Sequence, residues 1–147
     1  MSGRIKRLNR LLAIRRLQED LDRRSLKLAL ASVAEVEAGL IRQEAAQLES
    51  SALARTALST GARGEWLLAD AQSAVAGWNR GRLRPLLHVR ANEASEATQK
   101  FLESHREHEQ VQQLADNARR AAKYEEDRKA QAAADDWFLS RRKRPMD

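Results

Sequence analysis

The sequence predicts an all-α fold: a long antiparallel two-helix coiled-coil hairpin with a broken, partly helical middle segment. Long stretches consist of Ala, Glu, Gln, Lys, Leu and Arg, which are good helix formers. Apolar residues recur at three- and four-residue steps, and four of the six glycines fall between residues 61 and 81. A short connection makes neighbouring helices antiparallel, so the two long segments should pair. A single extended helix in a parallel dimer is the alternative.

The first helix is expected over about residues 4–58, where no proline occurs and Gly39 is the only glycine. One apolar stripe should pack this helix against the second. The stripe consists of Leu8, Leu11, Ile14, Leu17, Leu21, Leu28, Val33, Val36, Leu40 and Leu48.

A glycine-rich connection is expected over residues 59–84, because "STGARGE" and "GWNRGRLRP" are rich in helix-breaking residues. Between them, "EWLLADAQSAVA" predicts a short helix. Pro85 suits the first turn of a second long helix over residues 85–142, followed by a tail at 143–147. A seven-residue track of small side chains predicts a narrow, close contact on that helix. The track consists of Ala97, Phe101, Ser104, His108, Val111, Ala115, Ala118, Ala122, Ala132 and Leu139.

Both ends of this single predicted domain are basic. Six Lys or Arg residues precede the first acid, and four stand in a row near the end. With these ten and Asp147 set aside, the remainder holds 17 basic and 20 acidic residues. A hairpin would bring both groups to one tip. Cations in the first turn of a helix oppose its macrodipole, which favours a surface that binds an acidic partner. The predicted partner-binding residues are Arg4, Lys6, Arg7, Arg10, Arg15, Arg16, Trp137, Phe138, Arg141, Arg142, Lys143 and Arg144.

No nucleotide-binding or metalloprotease motif occurs, and the lack of cysteine excludes disulfides and thiolate metal sites. His105 and His108 share a helix face but lack the Glu-x-x-His spacing of di-metal bundles. We therefore predict no catalytic, cofactor or metal site, and a protein that is not an enzyme. The apolar runs are too short for a membrane span, which favours a cytoplasmic protein.

The opening "RIKRLNRLLAIRRLQED" and the closing "RRAAKYEEDRKAQAAADDWFLSRR" resemble the FliJ/YscO-type stalk proteins of flagellar export and type III secretion. The resemblance covers nearly the whole chain. It implies a non-enzymatic, cofactor-free stalk whose tip engages a hexameric export ATPase. It also implies that the body contacts the export-gate membrane protein or secretion chaperones, at a cytoplasmic site that includes the periphery of the inner membrane.

Two other function classes remain open from the residues alone. A pI near 10.3 fits a coiled-coil protein that binds nucleic acid through the basic tip, although the rest of the chain is slightly acidic. An adaptor or scaffold dimer is the third interpretation.

Overall fold

The computed structural model describes residues 2–143, and they form a helical hairpin. Helix α1 spans Ser2–Thr60 and helix α2 spans Arg63–Lys143. The two helices pack against each other, and the described residues contain no strand, which confirms the predicted all-α hairpin. No stretch of the described helices is both long and apolar enough to cross a membrane.

Contacts divide the chain into two compact units. The turn unit is Leu21–Phe101. The end unit combines Met1–Asp20 with Leu102–Asp147, of which residues 2–20 and 102–143 are described.

The connection between the helices is a two-residue turn. The Gly61 amide donates to the Leu58 carbonyl at 3.3 Å, and the Ala62 amide donates to the Ala57 carbonyl at 3.0 Å. These two bonds form a Schellman motif, which requires a residue with positive φ just after the helix. Gly61 adopts a φ of 76°. The motif thus ends α1 and reverses the chain at once.

The predicted broken segment at 59–84 was wrong, because α2 begins at Arg63 and continues through Gly64, Gly77, Gly81 and Pro85. A proline inside a helix costs about 3 kcal/mol locally. Packing holds the helix together here: Leu83 lies 3.5 Å from the position of a Cβ on Gly39 of α1. Tertiary contacts therefore override the local breakers, and the predicted helix start at residue 85 falls in mid-helix.

In the turn unit the helices are antiparallel with a regular register. Ser51 bonds Ser73 at 3.1 Å, Gln43 bonds Asn79 at 3.3 Å, and Arg23 lies over the ring of Phe101 at 5.5 Å. In these pairs the residue number on α1 decreases as the residue number on α2 increases, which defines an antiparallel arrangement. Buried and half-buried positions alternate three and four residues apart on both helices, as in a coiled coil.

In the end unit the same spacing places Ile5, Leu8, Leu12, Arg15 and Glu19 of α1 against α2. The α2 side confirms the predicted small-residue track from Ser104 to Ala122, with Ala115 only 2% exposed. The two further members of the track, Ala132 and Leu139, are exposed.

The predicted apolar stripe on α1 was wrong at more than half of its positions. Leu8, Val33, Val36 and Leu40 lie in the contact. The other members are exposed to solvent, because a single partner helix covers only one face of α1. They are Leu11, Ile14, Leu17, Leu21, Leu28 and Leu48.

We predict that Gly61→Ala lowers the free energy of unfolding by about 1–2 kcal/mol, because a Cβ disfavours positive φ. The matched control is Gly64→Ala, three residues further on, where a Cβ would meet nothing within 4 Å. There alanine should raise stability by about 0.5–1 kcal/mol through its better helix propensity. Urea unfolding followed by circular dichroism measures both. Equal effects at the two positions would contradict the assignment of the turn.

Candidate partner-binding surfaces

The first surface, the N-terminal face, lies on the side of α1 that α2 does not cover. Helical spacing puts Arg7, Arg10, Leu11, Ile14 and Leu17 on one side of the helix. The exposed fractions of the three apolar side chains are 36%, 61% and 62%, and both arginines are exposed. Arg4 and Lys6 are exposed next to them. Contiguous apolar residues bordered by charge are typical of interaction surfaces.

Sequence reasoning missed the apolar part of this face because it assigned Leu11, Ile14 and Leu17 to the helix contact. The contact alternates three- and four-residue steps from Ile5, but it includes Arg15. A charged residue at a contact position hides that spacing from a search for apolar repeats. Only the observed packing separates the two faces.

The two remaining basic residues of the N-terminal group are engaged with α2. Arg15 is half-buried in the contact, and its Nη1 donates to Glu107 Oε2 at 2.6 Å. Arg16 is exposed, and its Nη2 donates to Gln112 Oε1 at 3.4 Å. Arg15 therefore serves the hairpin, whereas Arg4, Lys6, Arg7 and Arg10 face solvent.

The second surface, the overhang, is residues 123–142 of α2, all of which are exposed. Arg119 donates to Asn9 at 2.7 Å, and α1 begins seven residues before Asn9. Ala122, three residues after Arg119, is the last half-buried residue described on α2. The helix continues from there to Lys143, and every side chain over residues 123–142 is exposed.

The overhang carries the predicted aromatic and basic residues. Trp137 and Phe138 are 60% and 65% exposed, so neither packs into the contact between the helices. The guanidinium of Arg141 lies over the Trp137 ring at 5.1 Å from its centroid. Arg142 is exposed, Lys143 is the last helical residue, and Arg144 lies outside the described residues, as does the rest of the predicted tail.

The two basic groups do not form one tip, contrary to the sequence prediction. Arg141 lies 22 residues after Arg119, which pairs at the level of Asn9. At about 1.5 Å per helical residue, Arg141 is about 33 Å further along α2. The prediction placed the start of the first helix level with the end of the second, whereas in the end unit Asn9 is level with Arg119. The result is two separate surfaces.

A buried ionic cluster lies between the helices of the end unit. Glu19 is 5% exposed, and its two carboxylate oxygens are bonded by His105 Nδ1 at 3.1 Å and by His108 Nδ1. His105 Nε2 also lies 3.1 Å from Glu109 Oε1. The two histidines singled out in the sequence thus serve the helix contact, and Glu19 is the partner that sequence reasoning missed.

The hydrogen bonds of this cluster shift the pKa values of Glu19 and His105. Burial raises the pKa of Glu19, but the hydrogen bonds from His105 and His108 together outweigh it, so the pKa lies below its usual value of 4.5. The hydrogen bond to Glu19 raises the pKa of His105 above 6.5, with the charge of Glu109 acting in the same direction. The hydrogen bond between Glu19 and His105 thus favours the ionised form of the carboxyl and the protonated form of the imidazole.

Among residues 2–143, no group of three or more His, Asp or Glu residues has the geometry to hold a metal ion. The arrangement of Glu19, His105 and His108 instead satisfies the carboxylate by direct hydrogen bonds.

No family model, no curated protein and no solved structure matches this chain.

We predict that the hairpin gains most from the cluster between about pH 4.5 and 6.5. The contribution of Glu19 is lost as the pH falls through its lowered pKa, and that of His105 is lost as the pH rises through its raised pKa. Thermal unfolding at a series of pH values measures the profile for the parent chain and for His105→Gln. In the variant the fall in stability above pH 6.5 should be smaller. The control His88→Gln, at an exposed position, should keep the parent profile. An unchanged profile in His105→Gln would contradict the assignment.

Proposed function

We propose that this chain is a non-enzymatic central-stalk component of a type III protein export apparatus, flagellar or virulence-associated, that engages a hexameric export ATPase. The observation that carries the proposal is the pair of surfaces in the end unit: an overhanging single helix with exposed aromatics, and a basic, apolar face beside it.

The overhang suits entry into the opening of a ring. A single helix is about 10–12 Å across with its side chains, which is narrower than two packed helices. An opening wider than a single helix but narrower than the hairpin would therefore admit residues 123–142 alone. Trp137 and Phe138 supply large apolar contacts at the far end, and aromatic residues together with arginine are typical of the residues that dominate binding energy.

The N-terminal face suits the rim of such a ring. Arg7 and Arg10 attract an acidic surface, while Leu11, Ile14 and Leu17 provide apolar area to bury. Charges of this kind increase the association rate and fix orientation more than they add affinity. The rest of the hairpin is free to contact the export-gate membrane protein or secretion chaperones, so that the chain couples the ATPase to the gate on the cytoplasmic side of the inner membrane.

We expect the chain to stimulate ATP hydrolysis by the export ATPase of the same organism at moderate salt. The double variant Arg7→Glu with Arg10→Glu should reduce stimulation because it replaces attraction by repulsion, and the loss should shrink as salt screens the charges. Trp137→Ala with Phe138→Ala should reduce stimulation at every salt concentration. The matched control, Lys27→Glu with Arg84→Glu, reverses two exposed charges in the turn unit and should stimulate like the parent.

Circular dichroism of each variant separates a binding defect from unfolding, since all four substituted positions in the end unit are exposed. Absence of both stimulation and complex formation by the parent chain would refute the proposal. Salt-dependent retention on DNA or RNA under the same conditions would then assign the basic residues to nucleic-acid binding.

A further inference from the structure

The overhang is a helix with no cover from α1, and it shows a charge pattern that the stalk proposal does not use. Residues 123–142 contain five basic and five acidic residues, so the segment is neutral. A nearly neutral helix is a poor ligand for nucleic acid or an anionic lipid surface, both of which select net positive charge. Its acidic run at 125–127 lies near one end of the segment and its basic run at 141–143 lies at the other. This favours a partner whose basic and acidic groups are separated in the opposite order.

One side of the overhang combines small, aromatic and charged residues in a definite order. Helical spacing places Glu126, Ala130, Ala133, Ala134, Trp137 and Arg141 on this side, the overhang face. All six are exposed. The alanines in the centre allow another helix to approach closely.

The overhang face is complementary to the same face of a second copy that runs in the opposite direction. Consider a second copy laid antiparallel, with the two-fold axis between Ala133 and Ala134. Ala130 then opposes Trp137, since each lies three residues from its central alanine. Glu126 opposes Arg141, since each lies seven residues away. The bulky ring meets a small side chain and the acid meets the base, twice over by symmetry.

The charge pattern also rejects the parallel arrangement. In a parallel pair Glu126 would face Glu126 and Arg141 would face Arg141, and like charges at such positions are destabilising. The acidic run at 125–127 and the basic run at 141–143 meet only when the two segments are antiparallel.

We propose that the overhang pairs with the overhang of a second copy of this chain, antiparallel and two-fold symmetric, to form a dimer. About 20 residues per helix bury less area than a standard stable interface, so the dimer is transient. A paired overhang cannot also enter a ring. That consequence rests on the proposed function, whereas the pairing itself does not.

Sedimentation equilibrium of the full chain tests the pairing in the absence of any ATPase. We expect a monomer–dimer equilibrium with a dissociation constant between about 1 μM and 1 mM. Glu126→Arg and Arg141→Glu should each weaken it about tenfold or more, because each brings like charges together. The double variant with both changes restores opposite charges and should dimerise like the parent. Trp137→Ala should also weaken the dimer, and Glu49→Arg, at an exposed position in the turn unit, should not.

Single-cysteine cross-linking tests the orientation, and the absence of native cysteine keeps it free of background. Ala133→Cys lies beside the two-fold axis and should link two copies. Ser140→Cys should not, because its two copies lie about 20 Å apart along the axis.

A chain that stays monomeric up to about 1 mM overturns the proposal, and so does a dimer that ignores the substitutions at Glu126, Trp137 and Arg141. Equal cross-linking at residues 133 and 140 overturns the antiparallel arrangement. If the chain is monomeric but its ATPase stimulation depends on Trp137, the overhang belongs to that partner alone. Since stimulation and self-association are measured separately, either proposal can fail without the other.

Discussion

The two-residue turn at Gly61 and Ala62 is the constraint on which the rest of the structure depends. Its Schellman bonds end α1 after 59 residues, whereas α2 continues for 81. In the end unit, α2 continues beyond its contact with α1, and residues 123–142 are exposed. The two basic groups therefore lie at different levels along α2, since Arg119 bonds Asn9 and Arg141 follows 22 residues later.

Polar residues within the helix contact add a second constraint on register. Arg15 and Glu19 occupy contact positions, and each finds its partner on α2 only in the observed alignment, Arg15 with Glu107 and Glu19 with two histidines. A slip by one heptad would leave a buried carboxylate without its hydrogen bonds, which is more costly than the loss of a few alanine contacts. Alanine-rich faces are otherwise tolerant of slippage. The ionic cluster in the end unit thus supplies the specificity that small side chains lack.

The same arrangement explains why the end unit offers two kinds of surface. Along α1 the contact with α2 uses one face, and the leucines and isoleucine on the other remain exposed beside basic residues. Along α2 the buried part of the small-residue track ends at Ala122, and the helix continues with charged, alanine and aromatic residues. One surface is a basic, apolar helix face and the other is a whole helix. Such surfaces fit different parts of a partner, and the overhang face in addition fits its own copy.

The sequence by itself determined the helical class and the small-residue track on α2, because composition and the spacing at Ser104, Val111 and Ala115 are local properties. Only the tertiary structure decided the position of the turn. Gly64, Gly81 and Pro85 are locally unfavourable in a helix, and contacts of neighbouring residues such as Leu83 with α1 keep the segment helical. It also decided which face of α1 is buried. Leu11 and Leu12 are equally apolar in sequence, yet Leu12 is 5% exposed and Leu11 is 36% exposed, because a single partner helix covers one side. The relation of the two basic groups was decided in the same way, since it depends on the alignment of Asn9 with Arg119 in the end unit.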